Sequence, residues 1–138
     1  MPTQTFPGRY DSLEKIAAFV RHEAENIDLP YADLFAVEAA VDEAVSNIIE
    51  HSYKGEDKGK IACTCISDAD SFTVILEDYG IPFNPNSVPL PDLNVPLKQR
   101  KDHGLGFFLM HQWMDEVHFE FCQNCNRLVM VKRKEKKA

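Results

Sequence analysis

Three short stretches of this chain carry side chains whose types and spacing can do chemistry together. In the first, Val41-Asp42-Glu43-Ala44-Val45-Ser46-Asn47-Ile48-Ile49-Glu50-His51, helical geometry of about 100° per residue puts Glu43, Asn47 and His51 on one line. The Glu43 carboxylate can take a proton from a hydroxyl or a water as it attacks. One turn on, Asn47 offers a neutral amide oxygen, a hard ligand suited to Mg2+ held mainly by phosphates and water. The second stretch, Asp78-Tyr79-Gly80, presents an acceptor for an exocyclic amine such as that of adenine. Gly80 beside it lets backbone and base approach without a Cβ between them. The third, His103-Gly104-Leu105-Gly106, precedes a helical pattern, where free amides and the helix dipole seat phosphates. Each has a plainer alternative. Polar rows occur on ordinary exposed helices, Asp and Gly are common where a strand meets a turn, and a lone Gly-x-Gly is neither a Rossmann fingerprint nor a P-loop.

The elements that must hold these residues are legible in outline. Leu34, Val37, Val41, Ala44, Val45 and Ile48 share an apolar arc beside a solvent-like arc of Glu38, Asp42 and Ser46, so the first stretch lies on an amphipathic helix running to about His51 and capped by Asp33. Ala36, Ala40 and Glu50 complete the third arc. A preceding helix over 12–27 follows from Leu13, Ile16, Ala17, Val20, Ala24 and Ile27, with Asp11 and Glu14 in capping-box positions. Residues 3–9 suggest a short strand. Two strand-like runs, 60–67 and 71–78, flank a hairpin-length connection. Phe72, Val74 and Leu76 share a face, and Asp78 falls in register with them. A carboxylate that extends a buried row needs a partner. Residues 79–103 hold Pro82, Pro85, Pro89, Pro91 and Pro96 without any period, a length of loop that in a compact domain is functional or disordered. A helix from Leu105 to about Asp115 and two strands around Gln123-Asn124-Cys125-Asn126 close the chain. The expectation is one α+β domain over residues 1–138, a two-layer sandwich whose mixed, mostly antiparallel sheet is covered on one face by helices.

The 138 residues, 44% hydrophobic and 27% charged, are enough for one core without staples. A formal net charge of −7 and a pI near 5.2 argue against nucleic acid as the main partner. The basic cluster Lys132-Arg133-Lys134, with Lys136 and Lys137, reads as a solubilising tail. Neither a signal peptide nor a membrane-spanning run is evident, so a cytoplasmic protein without a membrane partner is expected.

In conjunction, base and metal ligand on a helix, acceptor at a strand end, long loop and glycine turn describe one nucleotide site. Here the chain resembles the Bergerat-fold ATP-binding domains of the GHKL superfamily, and within it the anti-sigma-factor serine kinases. Glu43 to His51 is similar to the family's N box, Asp78-Tyr79-Gly80 to its first glycine box, and Gly104-Leu105-Gly106-Phe107 to its second. Leu109-Met110 and Met114-Asp115-Glu116-Val117 add to a likeness that covers about residues 5–133. The resemblance implies that Glu43 is the catalytic base, Asn47 the Mg2+ ligand, Asp78 the adenine contact and Gly80 its support. The amides of Gly104, Leu105, Gly106 and Phe107 would hold phosphates of ATP, and residues 81–103 would be the ATP lid, with Lys98, Arg100 or Lys101 neutralising charge. It further implies γ-phosphoryl transfer to a serine of a small antagonist protein, alternate binding of a sigma factor or analogous regulator, and a homodimer. His103, where a serine is frequent, and Phe108, where a hydroxyl residue can occur, depart from the pattern. They keep open an alternative, an ATP-binding module that sequesters a partner without phosphoryl transfer.

The cysteines stand apart. Cys63 and Cys65 share one strand face, while Cys122-x-x-Cys125 sits at a hairpin. Free thiols are the expectation in a reducing compartment. A zinc-stapled interaction domain would need all four on adjacent strands.

Overall fold

The computed structural model describes residues 1–82 and 109–134. In chain order these form β1 (Thr3–Pro7), α1 (Ser12–Ala24) with a 3-10 turn at Glu25–Ile27, α2 (Tyr31–Asn47) extended by a π turn at Ile48–Ser52, β2 (Lys60–Ser67), β3 (Ser71–Asp78), β4 (Glu116–Cys122) and β5 (Cys125–Arg133). Residues 109–113 are helical. The five strands make one sheet in the order β1-β2-β3-β5-β4. All four pairings among the described strands are antiparallel. The β4–β5 hairpin therefore docks on β3 through its second strand, with Asp78 opposite Asn126.

Period-two alternation decides which sheet face is covered. Ile61, Cys63 and Cys65 of β2, Phe72, Val74 and Leu76 of β3, and Leu128 and Met130 of β5 are all buried. Against them lie Ile16, Val20 and Ala24 of α1 and Val37, Val41, Ala44 and Val45 of α2, members of the same core cluster. Packing, rather than capping, holds α2. Its N-cap is Pro30, which makes no side-chain cap bond, whereas Val37, Val41 and Val45 have no exposed surface at all. Burying each is worth about 1.5–3 kcal/mol as an upper estimate.

Both expected caps are corrected. Asp11 makes no side-chain cap bond and is itself helical in backbone; the Ser12 hydroxyl donates instead to the Pro7 carbonyl at 2.7 Å. Asp33 lies inside the first turn of α2, because Pro30, with φ −54°, already sets the helical start at Tyr31. There Asp33 still favours the helix dipole. Nor is the basic C-terminal cluster simply a tail. Lys132 Nζ donates to the Trp113 carbonyl at 2.7 Å and Lys134 Nζ to the Ile27 carbonyl at 3.0 Å, while Arg133 pairs with Glu116. Lys136 and Lys137 fall outside the described residues.

A four-thiol zinc site is excluded by topology. Cys63 and Cys65 are buried free thiols in the core, opposite Leu76 and Val74. A hydrogen bond with Cys65, then burial, pushes the Cys63 thiol far up, so it keeps its proton. Cys122 and Cys125 face each other across the β4–β5 turn and are joined as a disulfide, which corrects the expectation of free thiols for this pair. β3 and the rest of β5 lie between the two pairs. Cys125 and Asn126 are strand residues, and only Gln123 and Asn124 form the turn.

Candidate functional site

Helix α2 delivers Asn47 from its last α-helical position. Directly after it the ladder slips to the wider spacing of a π turn, with the Tyr53 amide donating to the Ile48 carbonyl at 2.9 Å. Such turns occur frequently at functional sites. Glu43 is half-buried one turn before Asn47. Ala40 and Ala44, on either side of Glu43 along the helix, are buried, so this arc of α2 borders the interior rather than open solvent.

The π turn ends at Ser52, whose backbone reaches the end of β3. The Ser52 carbonyl accepts from the Ile81 amide at 2.8 Å. A Cβ on Gly80 would stand 2.4 Å from that carbonyl oxygen and 2.5 Å from its carbon. Glycine is needed here for the close approach of two backbones, a reason different from the one the sequence suggests. Tyr53 braces the same junction. Its hydroxyl donates to the Lys60 carbonyl and accepts from the Tyr79 amide at 3.0 Å.

Asp78 is 2% exposed. Its Oδ1 accepts from the Gly80 amide at 2.9 Å and from Asn126 Nδ2 at 3.0 Å. The same Nδ2 donates to the Ile81 carbonyl at 2.9 Å. Burial raises the Asp78 carboxyl above its ordinary range, while bonds from Asn126, Gly80 and Ser52 pull the other way. Its expected buried partner is thus Asn126. The signal that singled out Asp78 was present there too: Asn126, Leu128 and Met130 continue one buried face exactly as Asp78 continues Leu76 and Val74. A turn-like composition concealed it.

One cleft gathers Ala44, Asn47 and Ile48 of α2 and its extension, Asp78 of β3, Met110, and Asn126 of β5. Two of the sequence-predicted site residues, Asn47 and Asp78, therefore meet. Among the described residues the lining takes in Asn47 but not Glu43. Gly80 is not in the lining but lies against Ser52, which is. Gly104, Leu105, Gly106 and Phe107 lie outside the described residues, as do His103, Phe108, Lys98, Arg100, Lys101 and the expected lid beyond Pro82. The donor set fits a magnesium nucleotide: one lining holds a buried carboxylate acceptor, a neutral amide and the apolar side chains of Ala44, Ile48 and Met110.

Comparison with known proteins bears on the family and the fold. Residues 6–132 match the model of the histidine kinase-like ATPase domain. The chain is 31% identical to the serine-protein kinase RsbW of Bacillus mycoides over 115 residues, covering 80% of this chain and 71% of that one. The same figures hold for RsbW of Bacillus cereus strain B4264. In structure it resembles the RsbU and RsbW domains of a Mycobacterium tuberculosis protein, with TM-score 0.64 and 15% identity, covering 100% of this chain and 34% of that chain, about a third of its length. It also resembles the catalytic domain of histidine kinase ThkA, with TM-score 0.57, 13% identity and coverage of 97% and 98%. At these identities the structural likenesses speak for the fold.

Proposed function

The chain belongs to the histidine kinase-like ATPase domain family, and from that membership we propose that it is an ATP-dependent protein serine kinase acting as an anti-sigma factor in partner switching. The observation that carries the proposal is the buried Asp78 sharing a cleft with Asn47, in a chain 31% identical to serine-protein kinases.

Asp78 accepts the adenine amine, with Asn126 and the Gly80 amide orienting its carboxylate. Asn47 supplies a ligand to Mg2+, which when bound neutralises phosphate charge. Amides of residues 104–107 hold the phosphates, and residues 81–103 close over them. The Glu43 carboxylate takes the proton of the acceptor serine hydroxyl as its oxygen bonds to the γ-phosphorus and ADP leaves. In phosphoryl transfer, positioning and electrostatics dominate, and the base is an auxiliary. The acceptor is a serine of a small antagonist protein, and the alternate partner is a sigma factor or analogous regulator. The functional unit is a homodimer in the cytoplasm. On this reading nucleic acid is not a partner, which the net charge of −7 disfavours; among the described residues no helix is long and apolar enough to cross a bilayer.

The test is transfer of label from γ-labelled ATP with Mg2+ to a candidate antagonist. Wild type is expected to label the antagonist, and Glu43→Gln to bind ATP but lose most of the transfer. ATP binding by wild type without transfer to any antagonist would instead establish a sequestering module. Asp78→Asn keeps an acceptor for Asn126 and Gly80 but loses the charge. It should bind ATP at least ~10-fold more weakly by calorimetric titration, the loss of one charge-assisted bond, and unchanged affinity would remove the adenine assignment.

A further inference from the structure

We propose that Glu77, Cys122 and Cys125 form a binding site for a soft divalent cation, with Zn2+ as its representative, once a dithiol has reduced the Cys122–Cys125 disulfide to two thiols and been oxidised to its own disulfide. The three offer ligand atoms that all lie within 4.8 Å of one another. Alternation explains the convergence. Glu77 precedes Asp78 on β3 and so points to the opposite sheet face from Asp78. Cys125 and Arg127 of β5 project to that same face, beside Glu77, which pairs with Arg127 in register. Cys122 pairs with Cys125 across the turn, with Cα atoms 5.0 Å apart and the two sulfurs joined as a disulfide in the oxidised chain. Asn124, at φ 61°, makes the tight return, a left-handed conformation that asparagine tolerates.

Chemistry then selects the ligand. A Cys-x-x-Cys pair has the spacing of paired zinc ligands, and thiolates prefer soft or borderline ions. Cys125 Sγ stands 3.9 Å from Glu77 Oε2. Arg127 steadies that oxygen at 3.2 Å and also reaches Glu120 at 3.5 Å. With both thiols deprotonated, two thiolates and two carboxylates face one guanidinium, an excess of negative charge that a divalent cation balances. On binding, the ion gains two sulfurs and one carboxylate oxygen, the two thiol protons pass to solvent, and water fills the fourth tetrahedral position. Arg127 retains Glu120 when Glu77 turns to the metal.

The experiment titrates the full chain, kept reduced by a phosphine, with Zn2+ against a chromogenic chelator, and measures protons released. One equivalent bound with about two protons released is expected. The Cys122→Ser/Cys125→Ser double variant should lose the site, and Glu77→Gln should weaken it at least ~10-fold. Bound Co2+ should show thiolate-to-metal charge-transfer absorption that the double variant lacks, while circular dichroism verifies that both variants fold. Three results overturn the proposal: no stoichiometric metal on the reduced chain, in which case the sulfurs serve only a disulfide; metal retained by the double variant; or Glu77→Gln binding as tightly as wild type.

Discussion

Replacing Asn126 by alanine should destabilise the protein, and more at neutral than at acid pH. The side chain gives its Nδ2 to two buried acceptors, Asp78 Oδ1 at 3.0 Å and the Ile81 carbonyl at 2.9 Å. Losing a bond to a charged group costs about 1.5–3 kcal/mol and one to a neutral carbonyl about 1 kcal/mol. Together they predict a deficit of about 2.5–4 kcal/mol while Asp78 is ionised. The pH dependence follows from the direction of its shift. Burial already raises the Asp78 carboxyl, and the Asn126 bond is an influence that lowers it. A group whose folded pKa lies above its unfolded value contributes stability that is present below the unfolded pKa and lost as pH rises through the folded one. Without Asn126 the folded pKa climbs further, so more stability is lost on the way to neutrality. Urea denaturation of both proteins at neutral pH and near the ordinary carboxylate pKa measures the two deficits. Equal deficits at both pH values, or a neutral deficit under ~1 kcal/mol, would refute the reasoning.

Other predictions concern the junction beside it. Gly80→Ala puts a methyl 2.4 Å from the Ser52 carbonyl oxygen, a backbone atom that cannot rotate away; it should cost about 1–3 kcal/mol by denaturation and weaken ATP binding as the end of β3 shifts. Tyr53→Phe removes the bonds to the Lys60 carbonyl and the Tyr79 amide, for a loss of about 1–2 kcal/mol in the same assay. The transfer assay with Glu43→Gln and the titration of Asp78→Asn, described above, complete the set.

Much of the site was written in residue spacing. The alternation Phe72, Val74, Leu76, Asp78 placed a carboxylate on the buried face, and the helical series placed Asn47 where it borders the cleft. What escaped was written in backbone geometry. A π turn arises when a hydrogen bond slips from the fourth to the fifth residue, and nothing in Ile48-Ile49-Glu50-His51-Ser52 announces it. Gly80 was legible as necessary but not why, since the contacting backbone lies 28 residues earlier in the sequence. Asn126 follows the same alternation as Asp78, but the turn-like composition of Gln123-Asn124-Cys125-Asn126 hides that β5 starts at Cys125. Asp11 and Asp33 had the right chemistry for caps, yet proline geometry and tertiary packing set both helix starts.

The seam between Ser52 and Gly80 has a consequence for rigidity. Because main chain meets main chain there, no side chain can rotate or shrink to take up movement between the π turn and the end of β3. Separating the two unpicks the Ile81–Ser52 hydrogen bond, so the elements that carry Asn47 and Asp78 are tied at this point by backbone rather than by side-chain packing.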